Sequence, residues 1–143
     1  TESSSVKSML YEHLTSLDIE AVADKGLVAI LPIGSIEIHG FHMLVGTDSI
    51  TVHRIAALAA ENGIIVLSPL FYAYVSGNKH FLGTISLTAK TMLSLLEEIC
   101  DEIARNGFKN ILILFYTVND PLLPVRKVIQ EMSEGRRVSM HAR

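Results

Sequence analysis

Apolar positions along this chain come in two kinds of block. Residues 27–33 and 111–116 are unbroken apolar runs, whereas other stretches repeat apolar positions every three or four residues. A short unbroken run bounded by turn residues predicts a buried strand, and the longer period predicts one face of a helix. The first run therefore predicts a strand over 27–33, ended by Gly34. Residues 64–67 predict a second strand, ended by Pro69, with 70–75 either extending it or lying at an edge. A third strand over 108–116 is expected to be buried on both faces. Residues 136–140 predict a last, edge strand.

The helical period fills the gaps between these runs. Met9, Leu10 and Leu14 predict a short helix over 6–14. Thr15 or Ser16 caps a second one over 17–24, and Gly26 ends it. Residues 48–62 place Val52, Ile55, Leu58 and Ala59 on one stripe, with Thr47 or Asp48 as the cap and Gly63 as the stop. The clearest helix runs over 89–106: Thr88 caps it, Met92, Leu95, Leu96, Ile99 and Ile103 form its stripe, and Gly107 closes it. Residues 122–133 keep the same period, with Pro121 and Pro124 confined to a first turn. Strands alternating with helices imply an α/β fold with a mostly parallel sheet and helices on both faces. No linker, repeat or low-complexity tract divides the chain, so a single domain over 1–143 is expected.

Composition sets the surroundings. The chain has 143 residues, 49% of them hydrophobic, enough for one sizeable core. Its formal charge is −3 and its lysines and arginines are scattered, so no basic patch invites nucleic acid. The apolar runs are too short to cross a bilayer. Residues 1–5 are polar and carry no leader-like apolar stretch, and Cys100 is the single cysteine. These features fit a cytoplasmic protein. Cys100 lies inside the clearest helix and reads as a buried small hydrophobe.

The chemistry gathers after the first strand. Glu37, His39, His42 and Asp48 crowd the segment that follows it, at the end of a strand where open α/β sheets place their ligands. Glu37 and His39 point the same way if the segment is extended, and can converge on one centre if it is irregular. Carboxylates and imidazole together suit zinc, manganese or iron. The blander readings are a helix cap for Asp48 and a solvated polar loop for Glu37 and His39. His13 and His53 fall on predicted helices and are expected to be exposed.

Residues 34–48 read G-S-I-E-I-H-G-F-H-M-L-V-G-T-D. This resembles the signature of the creatininase (creatinine amidohydrolase) family, G-S-x-E-Q-H-G-P-H-L-P-L-G-T-D. Gly34, Ser35, Glu37, His39, Gly40, His42, Gly46, Thr47 and Asp48 match in register. Residues 83–87, G-T-I-S-L, and 106–114, N-G-F-K-N-I-L-I-L, resemble two further family segments in the same order, and the loop 74–80 is loosely similar to the family's Y-x-S-x-E-H. The resemblance implies a three-layer α/β/α fold, an oligomeric ring, and a two-metal site that hydrolyses C–N bonds in cyclic amides or formamides. It places Glu37, His39 and Asp48 at metal-ligand positions, with Asp48 bridging both ions. His42 reads as a group that orients the ligands or as a loop residue, and His80 as a surface-loop histidine or a substrate contact. Asp120, next to Asn119 after the third strand, could stand in for a missing ligand.

The chain also departs from that pattern. Where the family carries N-G-H-G-G-N, residues 115–120 read F-Y-T-V-N-D, with Thr117, or Tyr116 after a one-residue shift, in place of the metal-binding histidine. Ile38 and Phe41 replace a Gln and a Pro. The family's C-terminal part, with its last acidic ligand, is expected to be absent, although His141-Ala142 matches the start of the family's H-A-G-E. Two functions follow. One is a metal-dependent amidohydrolase using zinc, manganese or iron on a small amide, assembled as a homo-oligomer in which a neighbouring subunit could complete the site. The other is a shortened, non-catalytic relative that serves as a metal- or ligand-binding or assembly subunit. The altered 115–120 segment favours the second; the intact E-x-H…D set favours the first. An anion site at the following helix start is disfavoured by the acid at Asp48. An uncovered sheet edge or apolar face is expected to drive self-association.

Overall fold

Five consecutive apolar residues form β1 (Ala29–Ile33), and all five are buried. Burial on both faces is what a central strand of a parallel sheet requires. β1 runs parallel to β2 (Ile65–Val66) on one side and to β3 (Asn110–Phe115) on the other, with Ala29 opposite both Ile65 and Ile111. β4 (Arg137–Ala142) pairs in parallel with β3, giving the order β2-β1-β3-β4. Beyond β2, Leu10 bridges Val66, and the Val66 amide donates to the Met9 carbonyl at 3.0 Å. The structure is a computed structural model that describes residues 9–26, 28–61, 64–75, 77, 79–115 and 137–142.

Among the described residues three α-helices enclose the sheet: α1 (Ser16–Asp24), α2 (Thr47–Glu61) and α3 (Ala89–Arg105). Side chains alternate across a strand, and the two faces of the sheet go to different helices. Ala29, Leu31 and Ile33 of β1 join a core with Val22 of α1 and Met92, Leu96, Cys100 and Ile103 of α3. Ile65 belongs to that core, whereas its neighbour Val66 packs with Ala56 and Ala60 of α2. The result is the three-layer α/β/α arrangement. Phe108, Phe115, Leu31, Ile33, Met92 and Leu96 are among the largest fully buried side chains, each stabilising the fold by about 1.5–3 kcal/mol. Cys100 is wholly buried among them, as its place in the helix predicts.

Local signals explain the helix ends. Thr15 caps α1 through a reciprocal pair: its hydroxyl accepts from the Asp18 amide, and the Asp18 carboxylate accepts from the Thr15 amide. Gly26 follows with φ +71°, a left-handed turn that glycine adopts without penalty. Thr88 caps α3 by accepting from the Thr91 amide.

Several sequence expectations shift. Within 6–14, the described part forms a single 3-10 turn, Tyr11–His13. The expected strand 70–75 is reduced to isolated bridges, Ile33 with Leu70 and Ala73 with Ser86. β3 alternates buried with half-buried residues instead of being buried throughout. On α2 the inward face is Val52, Ala56 and Ala60, while Ile55 and Leu58 of the expected stripe point outward. Small alanines let α2 lie close against the sheet, and a helix this apolar on several faces does not announce which face goes inside. The predicted helix over 122–133, and Thr117, Asn119 and Asp120, lie outside the described residues. Among the described residues no helix is long and apolar enough to cross a membrane.

Candidate metal centre

Gly34 ends β1 and brings it against the start of α2. A Cβ at this position would lie 2.4 Å from the Ser49 Cα, so only glycine allows the approach. The Ser49 hydroxyl then donates to the Ser35 carbonyl at 2.9 Å and to the Phe71 carbonyl at 3.1 Å. A hydroxyl has one proton, so it is shared between them. This contact fixes α2 to the segment that leaves β1. The far side of that segment is held by residues 84–85: the Ile38 amide donates to the Thr84 hydroxyl at 3.0 Å, and the Ile85 amide to the Ile36 carbonyl at 2.9 Å. The second motif seen in the sequence, 83–87, is therefore a brace for the first.

Within this frame Glu37, His39 and Asp48 converge. Each offers one ligand atom, and the three atoms lie within 4.8 Å of one another. Glu37 and Asp48 are 4% and 1% exposed, so their carboxylates are removed from bulk water. The first turn of α2 carries Asp48, but the carboxylate does not act as the helix cap. Its Oδ1 meets His39 Nε2 at 3.0 Å and its Oδ2 accepts from the Ser35 hydroxyl at 2.9 Å. Gly46 stands at the cap position instead, its carbonyl accepting from the Ile50 amide. Neither Thr47 nor Asp48 fills the capping role expected from the sequence.

The orientation of His39 follows from one contact. Its Nδ1 lies 2.9 Å from the Glu37 carbonyl, which can only accept, so Nδ1 carries the proton. Nε2 is thereby directed at Asp48, and the space between them suits either a second proton or a cation. Burial pulls the His39 pKa down, but the bond to the Glu37 carbonyl and the charges of Asp48 and Glu37 outweigh it, and the net position is above the ordinary 6.5. Two buried carboxylates and an imidazole whose Nε2 faces Asp48 form a donor set that fits zinc or manganese. An Nδ1–H held by a carbonyl is the usual way a ligating histidine is oriented.

The other candidates lie apart from this cluster. His42 and His80 are exposed in loops, and neither joins the group of converging ligand atoms. His13 and His53 are exposed, as expected, and His53 packs edge-on against Phe71. Sequence reading assigned no role to Ser35, Ser49 or Thr84. Their signal was present, since Ser35 and Thr84 fall inside the matched motifs, but hydrogen-bonding partners 13 to 46 residues away are invisible in a linear pattern.

The chain is similar to known proteins in sequence and in overall fold. The creatinine amidohydrolase (Creatininase) family profile matches residues 12–133. The creatinine amidohydrolase of Pseudomonas putida is 34% identical over 115 residues, covering 76% of this chain and 44% of that protein. A crystal structure of creatinine amidohydrolase superposes with a TM-score of 0.79 at 27% identity, covering 95% of this chain and 58% of that one. A manganese form of creatininase gives 0.80 at 28% identity with the same coverage, and a variant described as Zn–Zn type gives 0.80 at 27%. The chain spans about half the length of these relatives. On the strength of the matched residues and the shared three-layer fold, this chain belongs to the creatininase family.

Proposed function

We propose that this chain is a metal-dependent hydrolase of C–N bonds in cyclic amides or formamides, with Glu37, His39 and Asp48 holding a divalent ion. The convergence of three ligand atoms within 4.8 Å in a buried site carries this reading. Zinc and manganese are the favoured ions, since both occur in solved creatininases, and iron suits the same donors. A divalent ion in this site supplies Lewis acidity to an amide carbonyl and to water.

The chain's own residues do the rest. Glu37 and Asp48 supply negative charge in a site that is largely closed to solvent, where electrostatic attraction is strong. His39 presents Nε2 because its other nitrogen is committed to the Glu37 carbonyl. Three protein ligands leave coordination positions open for water and substrate. A second ion needs ligands beyond these three, which a neighbouring subunit could contribute. Phe41 and Leu82 are almost fully exposed and Leu44 is largely so. These apolar loop residues support assembly as a homo-oligomer. His42 and His80, both exposed in loops, are the candidates for meeting a small substrate. One solved creatininase variant holds creatine, which supports a small guanidino or amide compound as the substrate class. The single cysteine and the scattered charge support a cytoplasmic location and no nucleic-acid partner.

A second reading is kept because residues 115–120 carry no histidine where the family motif has one, with Thr117 or Tyr116 in its place. In it the chain binds metal without turnover and serves as an assembly subunit. Both readings are separated by measuring metal content and hydrolysis of creatinine and a formamide on the same preparation. The hydrolase reading expects bound metal and turnover that a chelator abolishes. Metal without turnover selects the assembly reading, and turnover that survives the chelator refutes the metal mechanism. Glu37→Gln and Asp48→Asn should each weaken metal binding beyond the roughly 10–100-fold typical of residues that only support a ligand.

A further inference from the structure

We infer that Ser35 is the positioning residue of the metal centre, setting the separation and orientation of Glu37 and Asp48. This rests on the metal reading above. Ser35 is 1% exposed and lies between the two carboxylates. Its Oγ is 2.9 Å from Asp48 Oδ2 and 3.2 Å from Glu37 Oε1. A hydroxyl carries a single proton, so it donates fully to one carboxylate at a time and is shared between them. The shorter contact marks Asp48 as the stronger acceptor, and a bond to a charged acceptor is stronger than a neutral one.

Geometry makes this more than a passing contact. Asp48 has two oxygens with two different partners: Ser35 holds Oδ2 and His39 meets Oδ1. Fixing Oδ2 fixes the carboxylate plane, so Oδ1 is aimed at the point where His39 Nε2 arrives. The same hydroxyl reaches Glu37, which comes from the loop and not from α2. Ser35 thus couples the ligand on α2 to one of the two on the loop, Glu37. Its own backbone is held in turn, because Ser49, next to Asp48 in the chain, donates to the Ser35 carbonyl at 2.9 Å. The side chain points one way to the ligands, and the backbone is tied back to the element that carries one of them. Loss of the hydroxyl removes the bond that links the two like-charged groups to each other.

The test is the dissociation constant for zinc and for manganese, measured by competition with a chelator in wild type, Ser35→Ala and Ser35→Thr. Binding is referred to the folded fraction, read by circular dichroism in the same sample, so that lost stability does not mimic lost affinity. Ser35→Ala is expected to weaken binding by about 10–100-fold per folded molecule. Ser35→Thr keeps the hydroxyl and is expected within about threefold of wild type, by the same scale. A Ser35→Ala affinity within twofold of wild type overturns the inference whatever happens to stability. So does a threonine variant as weak as alanine while fully folded. Should alanine prove unfolded, a folded threonine variant at wild-type affinity supports the role and one at reduced affinity rejects it. A wild-type protein that binds neither ion sinks the metal reading itself, and this inference with it. Binding in the wild type with no effect of Ser35→Ala sinks this inference alone.

Discussion

Gly34→Ala is the sharpest perturbation of the frame that builds the site. The new Cβ would lie 2.4 Å from the Ser49 Cα, 2.6 Å from its Oγ and 2.7 Å from its backbone nitrogen. Carbon atoms in contact sit about 3.5–4.0 Å apart, so the end of β1 and the start of α2 must separate by roughly 1 Å. Two of the three clashing atoms are backbone, so a rotamer change does not relieve them. Overpacking of this kind costs about 1–3 kcal/mol. The shared Ser49 hydroxyl bonds to the Ser35 and Phe71 carbonyls stretch as well, and a typical hydrogen bond contributes about 0.5–1.5 kcal/mol net. The sum, about 1.5–4.5 kcal/mol, is a large part of a typical stability of about 5–15 kcal/mol. At about 2–4 °C per kcal/mol, the melting temperature should fall by about 3–18 °C. The same movement carries Asp48 away from Glu37, and a site needs its ligands held to within about 0.5 Å. Metal affinity per folded molecule should therefore drop by about tenfold or more. Gly26→Ala is the control. Gly26 has φ +71° but open space around its Cβ position, so alanine there costs only the left-handed strain, about 1–2 kcal/mol, and leaves metal binding unchanged. The assays are thermal unfolding by circular dichroism and chelator competition. A Gly34→Ala protein as mild as Gly26→Ala, with intact metal affinity, refutes the argument that this close approach shapes the site.

Two further outcomes are expected. His39 has a folded-state pKa above its ordinary 6.5, so in the metal-free protein its stabilising contribution is complete below that ordinary value. It is lost as pH rises through the raised pKa. Metal binding runs the other way, since an ion competes with the Nε2 proton, and affinity should weaken as pH falls through the same range; urea midpoints and metal titrations across pH 5–8.5 check both slopes, and identical pH slopes with His39→Ala would contradict the assignment. The exposed Phe41, Leu44 and Leu82 should drive self-association, with Leu82→Asp shifting light scattering toward the monomer, whereas a wild-type monomer at micromolar concentration contradicts an oligomer built on these loops.

The parts legible in the sequence were those set by local chemistry. β1 is an unbroken apolar run, and Thr15, Thr88 and Gly26 mark their helix ends because caps and left-handed turns act within a few residues. The convergence of Glu37, His39 and Asp48 was legible because they fall in one matched segment. What pattern could not decide was anything set by packing at a distance. The inward face of α2 is chosen by how closely Ala56 and Ala60 can approach the sheet, while Ile55 and Leu58 look equally suitable in sequence. Asp48 looked like a cap because it stands at a helix start, yet its carboxylate is claimed by Ser35 and His39 from an earlier segment. The role of Ser35 had no sequence signal beyond a motif position, since a hydroxyl's partners depend on where the fold brings two carboxylates.

The most direct measurement is anomalous diffraction from crystals of this protein soaked separately in manganese and in zinc. The account expects a peak within bonding distance of a Glu37 oxygen, His39 Nε2 and an Asp48 oxygen, with His39 Nδ1 still on the Glu37 carbonyl. A well-ordered Glu37–His39–Asp48 cluster with no peak beside it, or with the ion bound only elsewhere, contradicts it.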